Sequence, residues 1–187
     1  GKALDQARKA GVPFFTASEH ITVRIVGAGE GIPSGDPDQA MGAKDPHLWT
    51  DPMAVKAVID ALTVKIKQDF RVDLSTRAAA LDERLTALDV EIRGKVNTLP
   101  AERRKLVTGH ESLGYFAQRY GFKLVGAVIP GLTTEAESSA TNLVALKKLI
   151  AGNHVKVVFT EIGTPPRTVE TLAKEAKVAA VPISTHS

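Results

Sequence analysis

Four short apolar, β-branched runs alternate with helical segments in the second half of the chain. The runs are Lys105–Thr108, Lys123–Val128, Val155–Phe159 and Val178–Ile183. Thr134-x-x-Glu137 forms a capping box before one of the intervening helical segments. Thr164 and Pro165 supply an N-cap and a first helical residue for another. This alternation predicts an α/β fold with a parallel sheet and crossover helices.

The stretch from Met53 to Arg93 contains neither glycine nor proline. Its apolar side chains, and those that follow it, recur every three or four residues, which is typical of one face of a helix. They are Val55, Ile59, Leu62, Ile66, Phe70, Leu74, Leu81, Leu85, Leu88, Ile92 and Val96. A continuous helix over this range would be about 60 Å long, which exceeds the width of a small domain. We therefore expect a helix that either bends near Asp69–Asp73 or extends along two lobes and connects them. A coiled coil is the less favoured alternative, because the heptads lack sustained e/g charge pairs.

The segment DPHLWTDP, residues 45–52, holds one histidine and the only tryptophan of the chain. A residue that precedes proline is pushed out of the α region, so Asp45 and Asp51 are expected in extended or turn conformation. Pro52 can open a helix with Asp51 as its N-cap. His47 is thus predicted to lie on a short, stiff loop at the start of the long helical segment, a position suited to ligand binding.

Two further residues with metal-binding chemistry follow predicted strands. His110 comes after KLVTG, and Glu161 comes after VKVVFT. Ligands collect at the carboxyl ends of parallel strands, and imidazole is a common ligand of divalent metals. We therefore predict that His110 and Glu161 lie at one sheet edge, and that His47 and His110 share a metal site. For Glu161 the alternative is a helix N-terminal carboxylate. The remaining histidines are expected to be ordinary surface or core residues: His20, His154 and His186.

The residues that precede DPHLWTDP predict a helix, a strand and a loop. Residues 1–11 are typical of a helix that ends at Gly11. Val12–Thr16 is a short apolar run and is predicted to be a buried strand. Residues 27–44 are rich in Gly, Pro and Asp and predict an exposed loop. A dinucleotide site is not expected there, because Ile32 stands where the third glycine of G-x-G-x-x-G is required.

The composition excludes several classes of protein. Without cysteine, the chain cannot form a thiolate zinc site, a disulfide or a Cys nucleophile. Its 24 basic and 21 acidic side chains give a net charge of +3, and no basic stripe is interleaved with aromatic residues. Nucleic acid is therefore not an expected partner. No apolar run approaches the roughly 20 residues that span a bilayer.

Four segments of the chain occur in the order found in one protein family. They are DPHLWTDP, VTGHESLGYFAQRYGF, GLTTEAESSATNLVALKKLI and VKVVFTEIGTPPRTVETLAKEAKV. Over nearly all of residues 12–187 the chain resembles the solute-binding proteins of zinc and manganese ABC transporters. The resemblance implies an α/β fold of two parallel-sheet lobes joined by one long helix, the first lobe incomplete and the second nearly complete. The implied divisions are the C-terminal part of the first lobe (1–52), the connecting helix (53–97) and the second lobe without its end (98–187).

The resemblance also implies a metal site. His47 matches the ligand of the DPHxWxDP motif, and His110 matches a ligand from the second lobe. Glu161 matches a glutamate that supports the site without direct ligation. Zinc is the expected ion, with manganese as the alternative. The family's other ligands, a His early in the first lobe and an Asp after the last strand, are expected before Gly1 and after Ser187.

The function implied by the resemblance is delivery of the bound ion to an ABC transporter permease. No reaction is required, so the chain is not expected to be an enzyme. An extracytoplasmic location follows, either periplasmic or as a cell-surface lipoprotein, with any lipid anchor carried outside residues 1–187. Two alternatives stay open. One is a zinc metallohydrolase that uses His47, His110 and Glu161 around a metal-bound water; the other is an adhesin-like surface interaction protein.

Overall fold

The protein is an α/β chain that divides into two compact units. The computed structural model describes residues 2–27, 30, 42–132 and 139–185. One unit comprises residues 1–23 and 52–92, and the other comprises residues 24–51 and 93–187. The predicted α/β class is confirmed. The division into a partial first lobe, a connecting helix and a second lobe stays a prediction.

The first unit begins with helix α1 (Lys2–Lys9). It is followed by Gly11, whose φ of +72° is the left-handed conformation common after a helix end, as the sequence predicts. Residues 12–16 form no strand, and Val12 is 50% exposed. The prediction of a buried strand is therefore wrong. An apolar run becomes a strand only where a neighbouring strand pairs with it, and no described residue pairs with this segment.

The long helical segment consists of two helices, α2 (Pro52–Phe70) and α3 (Ser75–Asn97). The break at residues 71–74 coincides with the predicted bend, so the segment is not one continuous helix. Arg71 adopts φ +58°, which ends α2 in the left-handed region. The Oδ1 atom of Asp73 accepts the Ser75 N–H at 2.9 Å, which satisfies a free donor at the start of α3.

Two lysine–aspartate pairs accompany this break. Lys56 Nζ lies 2.6 Å from Asp82 Oδ2 and so joins α2 to α3. Lys67 Nζ lies 2.7 Å from Asp73 Oδ2, across the break. The hydrogen bond from Lys67 lowers the pKa of the Asp73 carboxyl well below its usual range. Asp73 is thus ionised at neutral pH, and its carboxylate can accept the hydrogen bond from the Ser75 N–H at the start of α3.

The second unit contains four parallel strands and the helices that connect them. The elements are β1 (Lys105–Thr108), α4 (Gly114–Tyr120), β2 (Lys123–Ala127), α5 (Ala140–Gly152), β3 (Val157–Thr160), α6 (Pro166–Ala176) and β4 (Ala179–Pro182). Strand β1 pairs in parallel with β2, and β3 pairs in parallel with β4. Strands β1 and β3 also contact each other, but among the described residues the hydrogen bonds form two separate two-stranded sheets, β1-β2 and β3-β4. The predicted parallel strands with connecting helices are confirmed, whereas the single parallel sheet is divided into two strand pairs.

The helix starts differ in detail from the sequence predictions. Ser139 is the N-cap of α5, and its hydroxyl accepts the Asn142 N–H at 3.1 Å. The capping box predicted at residues 134–137 lies outside the described residues. Helix α6 begins one residue later than predicted, with Pro165 as N-cap and Pro166 at the first helical position. The reason is that Pro165 itself precedes a proline, which excludes it from the helical region.

One apolar cluster lies between the strands and the helices α5 and α6. Its buried members are Val107, Val125, Val128, Leu146, Ile150, Val155, Val158, Val169 and Leu172. Each fully buried Val or Leu contributes about 1.5–3 kcal/mol through removal of apolar surface from water. This burial fixes the two central strands, and with them the positions of the loops at their carboxyl ends. Among the described residues, no helix combines the length and apolar character that a bilayer span requires.

The ends of β1 and β3 approach closely at Gly109. A Cβ atom on Gly109 would stand 2.1 Å from the Thr164 hydroxyl oxygen and 3.2 Å from the backbone nitrogen of Glu161. The first distance is far inside van der Waals contact. Only glycine therefore fits at this position without displacing Thr164.

Arg71→Gly tests the break between α2 and α3. A left-handed residue with a Cβ atom is strained by about 1–2 kcal/mol, so glycine should raise the free energy of unfolding by about 0.5–1 kcal/mol after its own entropic cost. Arg84→Gly, in the interior of α3, is the matched control and should lower that free energy by about 1 kcal/mol. Urea denaturation measures both. Equal losses in the two variants would mean that the helix continues through residue 71.

Gly109→Ala tests the close approach of β1 and β3. The overlap with Thr164 should lower the free energy of unfolding by about 1–3 kcal/mol, the usual range for overpacking. Adding Thr164→Ala removes the nearest atom and should restore part of this loss. Gly94→Ala, in an open helical position, should instead gain about 0.5–1 kcal/mol from helix propensity. A neutral Gly109→Ala would contradict the geometry described.

Candidate metal site

Strands β1 and β3 contact each other but have different hydrogen-bonded partners: β1 pairs with β2, and β3 pairs with β4. In open α/β sheets, ligands bind at the carboxyl ends of neighbouring strands whose connections run to opposite sides. His110 lies two residues after β1, and Glu161 directly follows β3. The two residues are therefore at the same sheet edge, as predicted.

Glu161 joins these two strand ends through both of its carboxylate oxygens. Oε1 accepts the Gly109 N–H at 3.2 Å. Oε2 accepts the hydroxyls of Ser112 at 2.7 Å and Thr185 at 2.8 Å, and it lies 3.1 Å from Nδ1 of His110. The carboxylate thus accepts hydrogen bonds from the loop after β1. It does not cap α6, which begins five residues later, so the helix-terminal alternative is not supported.

The pKa of the Glu161 carboxyl reflects two opposed effects. Burial acts to raise it, but hydrogen bonds from His110, Ser112 and Thr185 outweigh burial and lower the pKa to about 2. The group is therefore a carboxylate at neutral pH. A carboxylate can only accept hydrogen bonds, so it favours the His110 tautomer that carries its proton on Nδ1.

His47 is held in a similar way by Asp45. The Oδ1 atom of Asp45 lies 2.9 Å from both the backbone nitrogen and the Nδ1 atom of His47. This is a turn in which an aspartate bonds the backbone two residues further on, and it adds a bond to the imidazole ring. The sequence analysis did not assign Asp45 to the site. The signal was present in the DPH sequence, because an Asp two residues before a His can reach both groups.

The two imidazoles meet through their remaining nitrogens. Nε2 of His47 lies 3.3 Å from Nε2 of His110, and both residues are almost fully buried. If each ring keeps its proton on the Nδ1 that faces a carboxylate, each Nε2 presents a lone pair to the other ring. Two lone pairs in this arrangement repel unless a cation or a proton lies near both. The structure brings His47 and His110 together, and the prediction that they share a metal ion stays a prediction.

The separation of the two nitrogens fits a zinc ion. Two nitrogen ligands about 2.0–2.1 Å from a tetrahedral zinc ion stand about 3.3–3.4 Å apart, and the observed separation is 3.3 Å. Histidines that bind zinc commonly donate their other ring N–H to a carboxylate, which fixes the tautomer and the ring orientation. Within the described ranges, no group of three or more His, Asp or Glu side chains has metal-binding geometry. A closed zinc site takes four protein ligands, and the two imidazoles could supply two of them; that they do so stays a prediction.

The segment after β4 contacts both halves of this arrangement. The indole N–H of Trp49 donates to the backbone oxygen of Thr185 at 3.0 Å, and the Thr185 hydroxyl donates to Glu161. The Trp49 ring also contacts the His47 ring edge-on, with centroids 5.3 Å apart. Thr185 therefore links the His47 loop to the end of β3. No sequence pattern pointed to Thr185, because its partners Trp49 and Glu161 lie 136 and 24 positions away in the chain.

The other histidines have ordinary surroundings where they are described. His20 stacks on Phe15, with ring centroids 4.8 Å apart. His154 is exposed and adopts φ +54° in the turn between α5 and β3, as expected of an ordinary surface residue. His186 lies outside the described residues.

Comparison with known proteins identifies relatives of the chain. The TroA protein of Treponema pallidum (strain Nichols), named a zinc-binding protein, is 37% identical over 132 residues; the match covers 68% of this chain and 42% of TroA. The manganese-binding lipoprotein MntA of Bacillus subtilis (strain 168) is 29% identical over 183 residues, which cover 95% of this chain and 56% of MntA. The chain thus spans about half the length of these relatives.

Solved structures give the same result for the fold. The periplasmic zinc-binding protein TroA from Treponema pallidum matches with a TM-score of 0.72 and 27% identity, covering 99% of this chain and 65% of that one. A laminin-binding adhesin (Lmb) from Streptococcus agalactiae matches with a TM-score of 0.74 and 23% identity, covering 96% of this chain and 64% of that one. This second likeness concerns the fold alone.

A family profile extends over the whole sequence. The profile described as ZnuA, zinc-uptake complex component A, periplasmic, matches residues 1–187. The match agrees with the relatives described above. The chain belongs to the ZnuA family of periplasmic zinc-uptake components.

Proposed function

We propose that this chain is the metal-binding part of an extracytoplasmic solute-binding protein that delivers zinc to an ABC transporter permease. His47 and His110 are ligands of the ion through their Nε2 atoms, and Glu161 supports His110 without ligating. The observation that carries this proposal is the 3.3 Å separation of the two Nε2 atoms, together with the carboxylate at each Nδ1.

Zinc is favoured over manganese by the donor atoms. Imidazole nitrogen suits zinc, which accepts four-coordinate geometry, whereas manganese favours oxygen donors. The named zinc-binding relative TroA agrees with this choice. The manganese-binding relative MntA keeps manganese as the alternative cargo.

The residues of the site bind and release an ion and need perform no reaction. Asp45 and Glu161 each hold one imidazole in the tautomer that presents a lone pair, so the ligands are oriented before the ion arrives. A divalent cation removes the repulsion between those lone pairs. The remaining ligands come from donors beyond these two histidines, and the permease receives the ion.

The two alternative functions receive less support from the geometry. A metallohydrolase needs a general base directed at a substrate pocket. The Glu161 carboxylate is instead engaged by Gly109, Ser112 and Thr185, and it faces Nδ1 of His110. Both of its oxygens already accept hydrogen bonds, so neither is available to activate a water molecule. An adhesin role is supported only by the fold-level likeness to Lmb.

Zinc binding by the 187-residue chain tests the proposed ligands. His47→Ala and His110→Ala should each weaken zinc affinity at least about 100-fold, since removal of a direct ligand exceeds the 10–100-fold effect of losing an outer partner. His154→Ala is the matched control and should leave the affinity unchanged. Competition against a chromophoric chelator measures the dissociation constants, and circular dichroism confirms the fold of each variant. Unchanged affinity in both site variants would refute the assignment.

His110→Glu tests the origin of ion selectivity. An oxygen donor at this position should reduce the preference for zinc over manganese by roughly tenfold or more, because manganese favours carboxylate ligands. The measurement is the ratio of the zinc and manganese dissociation constants in the wild type and in the variant. An unchanged ratio, with the fold intact, would mean that His110 does not set selectivity.

A further inference from the structure

A buried arginine lies behind the His47 half of the site. The side chain of Arg24 is 7% exposed, and its Nη1 donates to Asp45 Oδ2 at 3.1 Å. Its Nη2 pairs with the Glu30 carboxylate. The backbone N–H of Arg24 donates to the Tyr115 hydroxyl at 2.9 Å. Arg24 is thus held by three different segments of the second unit.

The two carboxylate oxygens of Asp45 contact different residues. Oδ2 accepts the hydrogen bond from Arg24, while Oδ1 faces the backbone nitrogen and Nδ1 of His47. The carboxylate itself is fully buried. Its rotation about the Cβ–Cγ bond is therefore restrained by Arg24 at Oδ2 and by the His47 backbone N–H at Oδ1, and the guanidinium is a planar donor with a fixed geometry. Both contacts bear on the orientation of Oδ1 and so on that of the His47 ring.

The backbone at Gly114 leaves room for the Arg24–Asp45 pair. A Cβ atom on Gly114, the first residue of α4, would stand 2.2 Å from Asp45 Oδ2 and 2.5 Å from Arg24 Nη1. The backbone N–H of Asp45 also donates to the Arg24 oxygen at 2.9 Å. The pair therefore occupies a space that only glycine at position 114 leaves open.

We propose that Arg24 is a positioning residue of the metal site. By holding Oδ2 of Asp45, it keeps Oδ1 on the Nδ1 proton of His47 and so directs the Nε2 lone pair towards His110. This inference rests on the proposed role of His47 as a ligand. Arg24 does not touch the ion; it acts through Asp45.

The test compares three variants of the 187-residue chain. Arg24→Gln removes the charge and the fork of donors, and it should weaken zinc affinity by about 10–100-fold, as the loss of an outer-shell partner does. Arg24→Lys keeps the charge without the planar fork and should recover part of this loss. Glu30→Gln is the matched control: it alters the opposite side of the guanidinium and leaves Asp45 in place, so zinc affinity should stay within about twofold of the wild type.

A second measurement separates positioning from general destabilisation. Two-bond ¹H–¹⁵N correlation spectra report the tautomer of each histidine in the metal-free chain. His47 should carry its proton on Nδ1 in the wild type and in Glu30→Gln, and should become a mixture of tautomers in Arg24→Gln, while His110 stays unchanged. A variant that is merely less stable would shift the thermal midpoint without changing the tautomer of His47 alone.

Gly114→Ala provides an independent variant in which no charge is lost. The added methyl group displaces the Asp45 carboxylate and should reproduce both the weaker zinc affinity and the mixed His47 tautomer. If His47→Ala abolishes tight zinc binding but Arg24→Gln and Gly114→Ala retain wild-type affinity and tautomer, the inference about Arg24 is overturned while the proposed function stands. If His47→Ala itself binds zinc normally, the proposed function fails first.

Discussion

The close contact between two buried imidazole rings is the constraint on which this site depends. Nε2 of His47 and Nε2 of His110 lie 3.3 Å apart, and the carboxylates of Asp45 and Glu161 prevent either ring from turning away. A pair of free histidines would avoid this arrangement by exchanging tautomers or by rotating. The carboxylates oppose both responses. In the metal site proposed above, the separation of the two nitrogens is the one expected for two ligands of one zinc ion, so the ligands are oriented before the ion binds.

The fold supplies the constraint through burial and close backbone approach. The apolar cluster around Val107 and Val158 fixes the central strands, and Gly109 allows their carboxyl ends to come together. Burial of a charged carboxylate is unfavourable unless every lone pair is used. Glu161 meets this requirement with donors from the loop after β1 and from the segment after β4. The same contacts that satisfy its charge therefore also fix the His110 ring, so stability and site geometry have a common origin.

Local patterns predicted the elements, whereas long-range contacts determined the site's details. The strands β1 to β4 follow from β-branched runs bounded by turn signals, and the edge that carries His110 and Glu161 follows from the parallel topology. The stiff loop that presents His47 follows from two Asp-Pro pairs. The run at residues 12–16 was wrongly predicted to be a strand, since strand formation needs a partner that local sequence cannot reveal. The roles of Arg24 and Thr185 depend on partners 21 or more residues away, and no periodicity encodes such contacts.

The two imidazoles are supported unequally, and this difference has a structural cause. His110 belongs to the loop that Glu161 binds through backbone and side-chain donors, so its position is determined by the sheet itself. His47 lies on a loop whose single carboxylate anchor, Asp45, is oriented by Arg24. The loop has a second connection through Trp49 and Thr185. A change at Glu161 would disturb the strand ends and the ring together, whereas a change at Arg24 reaches the ring through one carboxylate. The His47 half is therefore the one whose geometry can alter while the sheet stays intact.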